Sequence, residues 1–283
     1  MCRHLAYLGP ALPLAALLFD PPHSLTRQSW APLDMRGGGT VNADGFGVGW
    51  YPLDGPPVRY RRATPIWADD TLPVLAAATT AGGVLAAVRS ATVGMPVVET
   101  AAAPFAEGPW LFSLNGAVHG WPDSIAALAG RLPTRDLMTL DAPTDAALLW
   151  ALVRHRLRAG AGPAETVAET VREVAAAAPG SRLNLMLTDG KLVVANAGGH
   201  ALSVRATGGS VLVSSEPLAE EPGWRPVPDN HLVVAAAGQF DVAPISPTPP
   251  AAPRPSDVPP SNTPPSAPRG GARPERAQQQ SPG

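Results

Sequence analysis

Cys2 is the residue of this chain best placed for covalent chemistry, because it is the only cysteine and stands one position from the start. If the initiator methionine is removed, as the small size of cysteine permits, Cys2 carries both a thiol and a free α-amine. Reference pKa values of about 7.7 to 8.0 for the amine and about 8.5 for the thiol let the amine accept the thiol proton near neutral pH. No histidine partner is then required. The competing reading is an ordinary second residue, so the companions of Cys2 have to decide.

Asn115 and Gly116 follow the apolar run Trp110 to Leu114. An asparagine side-chain N–H and a glycine backbone N–H can together stabilise a developing oxyanion, although the same dipeptide is also a common turn. Arg89 ends the apolar run Val84 to Val88, in the segment Arg89-Ser90-Ala91-Thr92-Val93-Gly94. Its planar fork suits a carboxylate held through two parallel hydrogen bonds, and a structural salt bridge would satisfy it as well. Thr144 reads as a helix N-cap and Asp145 as a first-turn residue. A helix N-terminus repels cations, so an ammonium bound nearby would call for a carboxylate such as Asp145.

Between Asp44 and Tyr51, Gly45, Gly47 and Gly49 alternate, which leaves one face of a strand bare for close approach by another backbone or a ligand. The spacing is not that of a dinucleotide loop, and no helical pattern follows. Arg36 precedes Gly37, Gly38 and Gly39, a stretch that reads as a mobile loop able to close over a site. The six histidines show no metal-ligand spacing, so neither a metal nor a cofactor is expected. His4 shares a strand face with Cys2, and a packed or hydrogen-bonded role is expected of it.

These residues need elements to position them. Apolar runs of strand length recur at Arg3 to Leu8, Phe46 to Tyr51, Val84 to Val88, Trp110 to Leu114, Leu183 to Leu187, Leu192 to Ala195, Val211 to Val213 and His231 to Ala237. Asp189-Gly190 and Gly208-Gly209 suit tight hairpin turns. Helical patterns lie mainly in the middle, over Ser124 to Leu132, Asp145 to Leu157 and Glu165 to Ala178. Strands, then helices, then strands predict an α+β fold with helices packed outside mixed sheets.

The chain has 283 residues, and from Ser246 proline makes up roughly a third of them, a composition that cannot bury enough surface to order itself. The expected organisation is one domain over residues 1–245 and a Pro-rich disordered tail over 246–283. A net charge of -2 supplies no basic field, which excludes a nucleic-acid surface. Pro10 and Pro13 interrupt the apolar start, and no small-residue cleavage site follows, which argues against a signal peptide. The stretch also falls short of the roughly 20 apolar residues that a membrane span needs. One cysteine fits a reducing, cytoplasmic setting.

Taken together, Cys2, Arg89-x-Ala91-Thr92-x-Gly94, Asn115-Gly116 and Thr144-Asp145 occur in the order seen in the class II glutamine amidotransferases. The chain resembles that family of N-terminal nucleophile hydrolases over roughly Met1 to Ala243. The resemblance implies a four-layer αββα sandwich of two stacked antiparallel sheets. It further implies that Cys2 is the nucleophile, that Asn115 and Gly116 form the oxyanion hole, and that Arg89 and Asp145 hold the α-carboxylate and α-amine of a glutamyl group. Thr92, Arg36 and Asp44 complete the expected substrate-binding set.

The opening Cys2 to Gly9, the segment Leu25 to Trp30, the stretch Asp44 to Tyr51 and Ser214 to Leu218 are similar to the ergothioneine-biosynthesis branch. Its members remove glutamate from γ-glutamyl-hercynylcysteine sulfoxide. No synthase or isomerase pattern follows, which suits a stand-alone amidohydrolase acting on a small molecule. A tryptophan such as Trp30, Trp50 or Trp224 would suit the quaternary ammonium of such a substrate. The chain departs from many amidotransferases at Leu114 and Val93, where they carry His, and this bears on turnover of free glutamine. A glutaminase subunit feeding a separate synthase, or a non-catalytic γ-glutamyl-binding module, are the alternatives.

Overall fold

The computed structural model describes residues 2–36 and 41–245. The Gly37 to Gly39 run, the tail from Ser246 and the fate of Met1 lie outside the described residues. The strands are β1 (Arg3–Pro13), β2 (Phe46–Trp50), β3 (Val58–Arg62), β4 (Thr80–Val88), β5 (Phe105–Glu107), β6 (Trp110–Ala117) and β7 (Arg182–Thr188). They continue as β8 (Val193–Ala197), β9 (Ser203–Thr207), β10 (Ser210–Ser214), β11 (Arg225–Pro226), β12 (His231–Ala236) and β13 (Gln239–Pro244). The α-helices are α1 (Ala15–Leu18), α2 (Leu25–Gln28), α3 (Thr71–Ala78), α4 (Ala126–Ala129), α5 (Thr134–Met138), α6 (Asp145–Arg158) and α7 (Pro163–Ala177).

Two antiparallel sheets form, one in the order β11-β9-β10-β1-β4-β2-β3 and one in the order β13-β12-β8-β7-β6-β5. Period-two alternation turns them into a sandwich, because successive side chains of a strand feed opposite layers. On β1, Leu5 and Tyr7 join the core under α1, α2 and α3, while Ala6 and Leu8 join the core between the sheets. On β6, Phe112 and Leu114 pack outward toward α6 and α7, whereas Leu111 packs inward. Three apolar layers therefore separate four layers of secondary structure, helix, sheet, sheet, helix. Each fully buried leucine at these interfaces, such as Leu5, Leu85 or Leu111, contributes about 1.5–3 kcal/mol.

Helix α6 starts where Thr144 accepts a hydrogen bond from the Ala147 N–H at 3.2 Å. Its Trp150 stacks on Phe112 with ring centroids 5.4 Å apart, which fixes the helix over β6. Helix α7 starts with Pro163, whose missing N–H costs nothing in a first turn. Gly190 has φ 85°, and Gly208 and Gly209 have φ 56° and 79°, so both predicted hairpin turns use left-handed glycine.

Every predicted strand is present, several of them longer than the apolar run that revealed them. The runs missed are β3, β5, β9, β11 and β13, and four of these five are the outer strands of the two sheets. An edge strand solvates one face and one rim, so it needs no apolar run: β3 reads Val58-Arg59-Tyr60-Arg61-Arg62. The bare face of β2 is filled by the chain itself, by backbone at Gly47 and by the Leu111 and Pro104 side chains at Gly49. A Cβ on Gly47 would stand 2.2 Å from the Ala103 carbonyl oxygen, so the Ala103 segment lies directly on the strand.

Candidate active site

The inner layer turns polar at the end of the sandwich where β1 begins. Cys2 and His4 share the face of Ala6, and Ser113 and Asn115 share the face of Leu111, so alternation aims all four into the gap between the sheets. His4 Nδ1 lies 3.2 Å from Ser113 Oγ. Antiparallel register places Arg3 opposite Val88, which brings the next residues outward, Cys2 and Arg89, alongside one another.

Cys2, Arg89, Thr92, Gly116 and Asp145 line one small pocket between β4, β6 and the start of α6. Its volume, counted as space open to water centres, is about 40 Å³, room for a few waters. The half-buried Cys2 thiol has a long contact of 3.8 Å to the Ser90 carbonyl oxygen. Arg89 donates to the Pro96 carbonyl oxygen at 2.9 Å and forms no ion pair among the described residues.

Asp145 accepts from the Val118 N–H at 2.9 Å and the Ala146 N–H at 2.8 Å, one on each oxygen. Burial holds its carboxyl above the usual carboxylate range, against the pull of those two N–H groups and of the Arg89 charge. A glycine is required at 116, because a Cβ there would stand 1.8 Å from the Arg182 carbonyl oxygen on the neighbouring strand.

Asn115 is fully buried directly behind this pocket, and Ser215 sets its orientation. The Ser215 hydroxyl accepts from the His4 N–H at 3.0 Å and donates to the His4 carbonyl oxygen at 3.2 Å. Its remaining lone pair accepts from Asn115 Nδ2 at 3.3 Å. With the hydroxyl hydrogen already committed, only the amide nitrogen of Asn115 can face Ser215, and its second N–H stays available. Replacing Asn115 with Ala is expected to lower kcat about 10²–10³-fold while KM changes little, as steady-state kinetics would show.

Two other expected substrate-binding residues stand outside the pocket. Asp44 accepts from the Ala91 N–H at 2.8 Å, and its own N–H donates to the Arg89 carbonyl oxygen at 3.0 Å, so it braces the Arg89 to Pro96 segment from behind. Arg36 lines a separate, wider cleft and pairs with Asp34 at 3.0 Å.

Sequence reasoning missed the buried charge cluster that anchors the first strand. Glu216 accepts from Arg3 Nε at 2.9 Å, from the Leu33 N–H at 2.8 Å, and meets His23 Nε2 at 2.6 Å. Arg3 also donates to the carbonyl oxygens of Cys2 at 3.1 Å and Asp34 at 2.5 Å. Burial alone would raise the Glu216 pKa, but the His23 hydrogen bond, the Leu33 N–H and the Arg3 charge hold it below the usual carboxylate range. The one signal available in the sequence was the acidic residue inside Ser214 to Leu218.

His4 is driven down to a pKa of about 3 by burial, then by the charges of His200 and Arg3, so it is neutral near pH 7. It does not line the pocket. Among the described residues no cluster of His, Cys, Asp and Glu could hold a metal ion, and no helix is long and apolar enough to cross a membrane.

Two antiparallel sheets packed face to face between helical layers form the αββα sandwich of the N-terminal nucleophile hydrolases. Residues 13–208 match the family described as glutamine amidotransferases class-II, and the chain belongs to that family. It is 37% identical over 245 residues to the γ-glutamyl-hercynylcysteine sulfoxide hydrolase of Mycolicibacterium smegmatis, covering 87% of this chain and 100% of that one.

Among solved structures, a glutamine aminotransferase class-II domain protein from Silicibacter pomeroyi superposes with a TM-score of 0.63 at 21% identity, covering 87% of this chain and 100% of that one. The glutamine phosphoribosylpyrophosphate amidotransferase of Bacillus subtilis gives a TM-score of 0.57 at 14% identity, over 87% of this chain and 49% of that one. At these identities the two structures speak for the fold alone.

Proposed function

We propose that this chain hydrolyses the γ-glutamyl amide of γ-glutamyl-hercynylcysteine sulfoxide to glutamate and hercynylcysteine sulfoxide, a step of ergothioneine biosynthesis, and does so in the cytoplasm. The observation that carries the reading is the convergence of Cys2, Arg89, Gly116 and Asp145 on one pocket. The name of the M. smegmatis relative, which this chain matches over its whole length, supports the choice of substrate.

With Met1 removed, the α-amine of Cys2 takes the thiol proton, and the thiolate attacks the γ-carbonyl carbon. His4 does not line the pocket that holds Cys2. The oxyanion is held by the Asn115 side chain and by Gly116. The C–N bond then breaks, the departing amine takes the proton from the terminal ammonium, and a γ-glutamyl thioester remains on Cys2. A water attacks the thioester, gives its proton back to the amine, and glutamate leaves with the thiol restored.

Arg89 and Thr92 bind the glutamyl α-carboxylate. Asp145 binds the α-ammonium, whose charge favours the ionised carboxylate that burial opposes.

Hydrolysis rates on the sulfoxide and on free glutamine test the assignment, together with the intact mass of the purified protein. The expected result is a chain lacking Met1 whose kcat/KM for the sulfoxide exceeds that for glutamine by about two orders of magnitude or more. Preference for glutamine would favour an ammonia-supplying glutaminase, and retained Met1 in an active protein would contradict the amine as base.

A further inference from the structure

Strand β10 ends at Ser214, whose partner on β1 is Leu5. One residue further on, the ladder continues in altered form. The Ser215 N–H donates to the His4 carbonyl oxygen at 2.9 Å, as a ladder residue does, but the His4 N–H is accepted at 3.0 Å by the Ser215 hydroxyl. A side chain thus takes the place of a backbone acceptor. The same hydroxyl reaches across to the other sheet, where it accepts from Asn115 Nδ2 at 3.3 Å.

Asn115 depends on this contact for the sense of its amide. The residue is fully buried, and its Oδ1 has no hydrogen-bond partner among the described residues. An amide turned over end for end fills the same space with oxygen and nitrogen exchanged, and then presents a lone pair instead of an N–H to a developing oxyanion. The Ser215 hydroxyl separates the two orientations. It carries one hydrogen, directed at the His4 carbonyl oxygen, so it admits the nitrogen of Asn115 and not the oxygen. Ser215 does not line the pocket of Cys2, Arg89 and Asp145, so any effect on the reaction passes through another residue.

We propose that Ser215 is a positioning residue for the reaction, its hydroxyl locking the Asn115 amide with an N–H toward the oxyanion. The inference rests on the thiol and oxyanion chemistry proposed above, and is independent of which amine departs.

The test is a double-mutant cycle of full chains: wild type, Ser215→Ala, Asn115→Ala and the double variant. Each is turned over on whichever of the sulfoxide and free glutamine the wild type cleaves faster. Ser215→Ala is expected to lower kcat about tenfold with KM nearly unchanged. It is expected to have no further effect once Asn115 is already alanine, and losses that multiply in the double variant overturn the inference.

Alkylation of Cys2 separates this role from a structural one. Iodoacetamide reacts with a thiol by displacing iodide and builds no oxyanion, and with a single cysteine in the chain the intact mass reports the rate. Ser215→Ala keeps the backbone bond from residue 215 to the His4 carbonyl oxygen, so alkylation is expected to stay within about twofold of wild type. A fall in step with kcat would mean that the strand start has moved, and overturns the assignment. Ser215→Thr and Ser215→Val, nearly equal in shape, repeat the comparison with the hydroxyl as the difference, and equal kcat in the two also overturns it.

An Asn115→Ala protein as active as wild type overturns the oxyanion chemistry and this inference together. Preference of the wild type for glutamine overturns the sulfoxide assignment alone, since the cycle is then run on glutamine.

Discussion

Replacement of Cys2 with Ala is expected to reduce hydrolysis of the γ-glutamyl substrate to background, a loss of about 10⁴-fold or more in kcat. In the proposed mechanism alanine keeps the terminal amine but removes the attacking atom, so no thioester can form. The loss will read as chemistry rather than misfolding, because the thiol is half-buried and its one hydrogen bond among the described residues, to the Ser90 carbonyl oxygen, is 3.8 Å long. Arg89, Thr92 and Asp145 remain, so calorimetric titration of the variant with intact substrate is expected to show binding without turnover. In the wild type, rapid mixing followed by acid quench and mass measurement is expected to trap the chain with one glutamyl group added. Turnover by the Ala variant would mean that another nucleophile acts.

The second large effect is on stability. Replacing Glu216 with Ala removes the carboxylate that faces the buried Arg3 guanidinium, and breaking one side of such a pair costs about 3–5 kcal/mol. Three segments meet at this carboxylate: the first strand through Arg3, the loop before α2 through His23, and the stretch after α2 through the Leu33 N–H. Urea denaturation is expected to show a lower midpoint with little change in slope.

The pH dependence has a definite sign. The folded-state pKa of Glu216 lies below its ordinary 4.5, so its contribution is fully present above that value and is lost as pH falls through the lowered one. A Glu216→Gln protein is expected to lack this part of the acid-side loss of stability. Because Arg3 also donates to the Cys2 carbonyl oxygen, activity should fall with anchoring of the first strand.

Alternation and motif order made most of the fold and the candidate site legible. Even-numbered residues of β1 and odd-numbered residues of β6 face the same gap, so His4 and Ser113 meet once the two sheets stack. The four edge strands were illegible for the reason already seen in β3, since a solvated rim demands no apolar pattern.

By itself the sequence determined which chemistries are available. A lone cysteine at position 2, an arginine at a strand end, an Asn-Gly pair and a first-turn aspartate are chemical facts of residue type and local periodicity, readable without knowing what lies across the fold. Only the tertiary structure decided how those groups are held. Ser215 orients Asn115 from 100 positions away, Glu216 anchors Arg3 across 213, and Asp44 braces Ala91 across 47. Such contacts depend on sheet register and on burial, which raises the strength of a hydrogen bond and the cost of leaving one unmade. Neither quantity is a property of any short stretch of chain, so it emerges only when the two sheets close on one another.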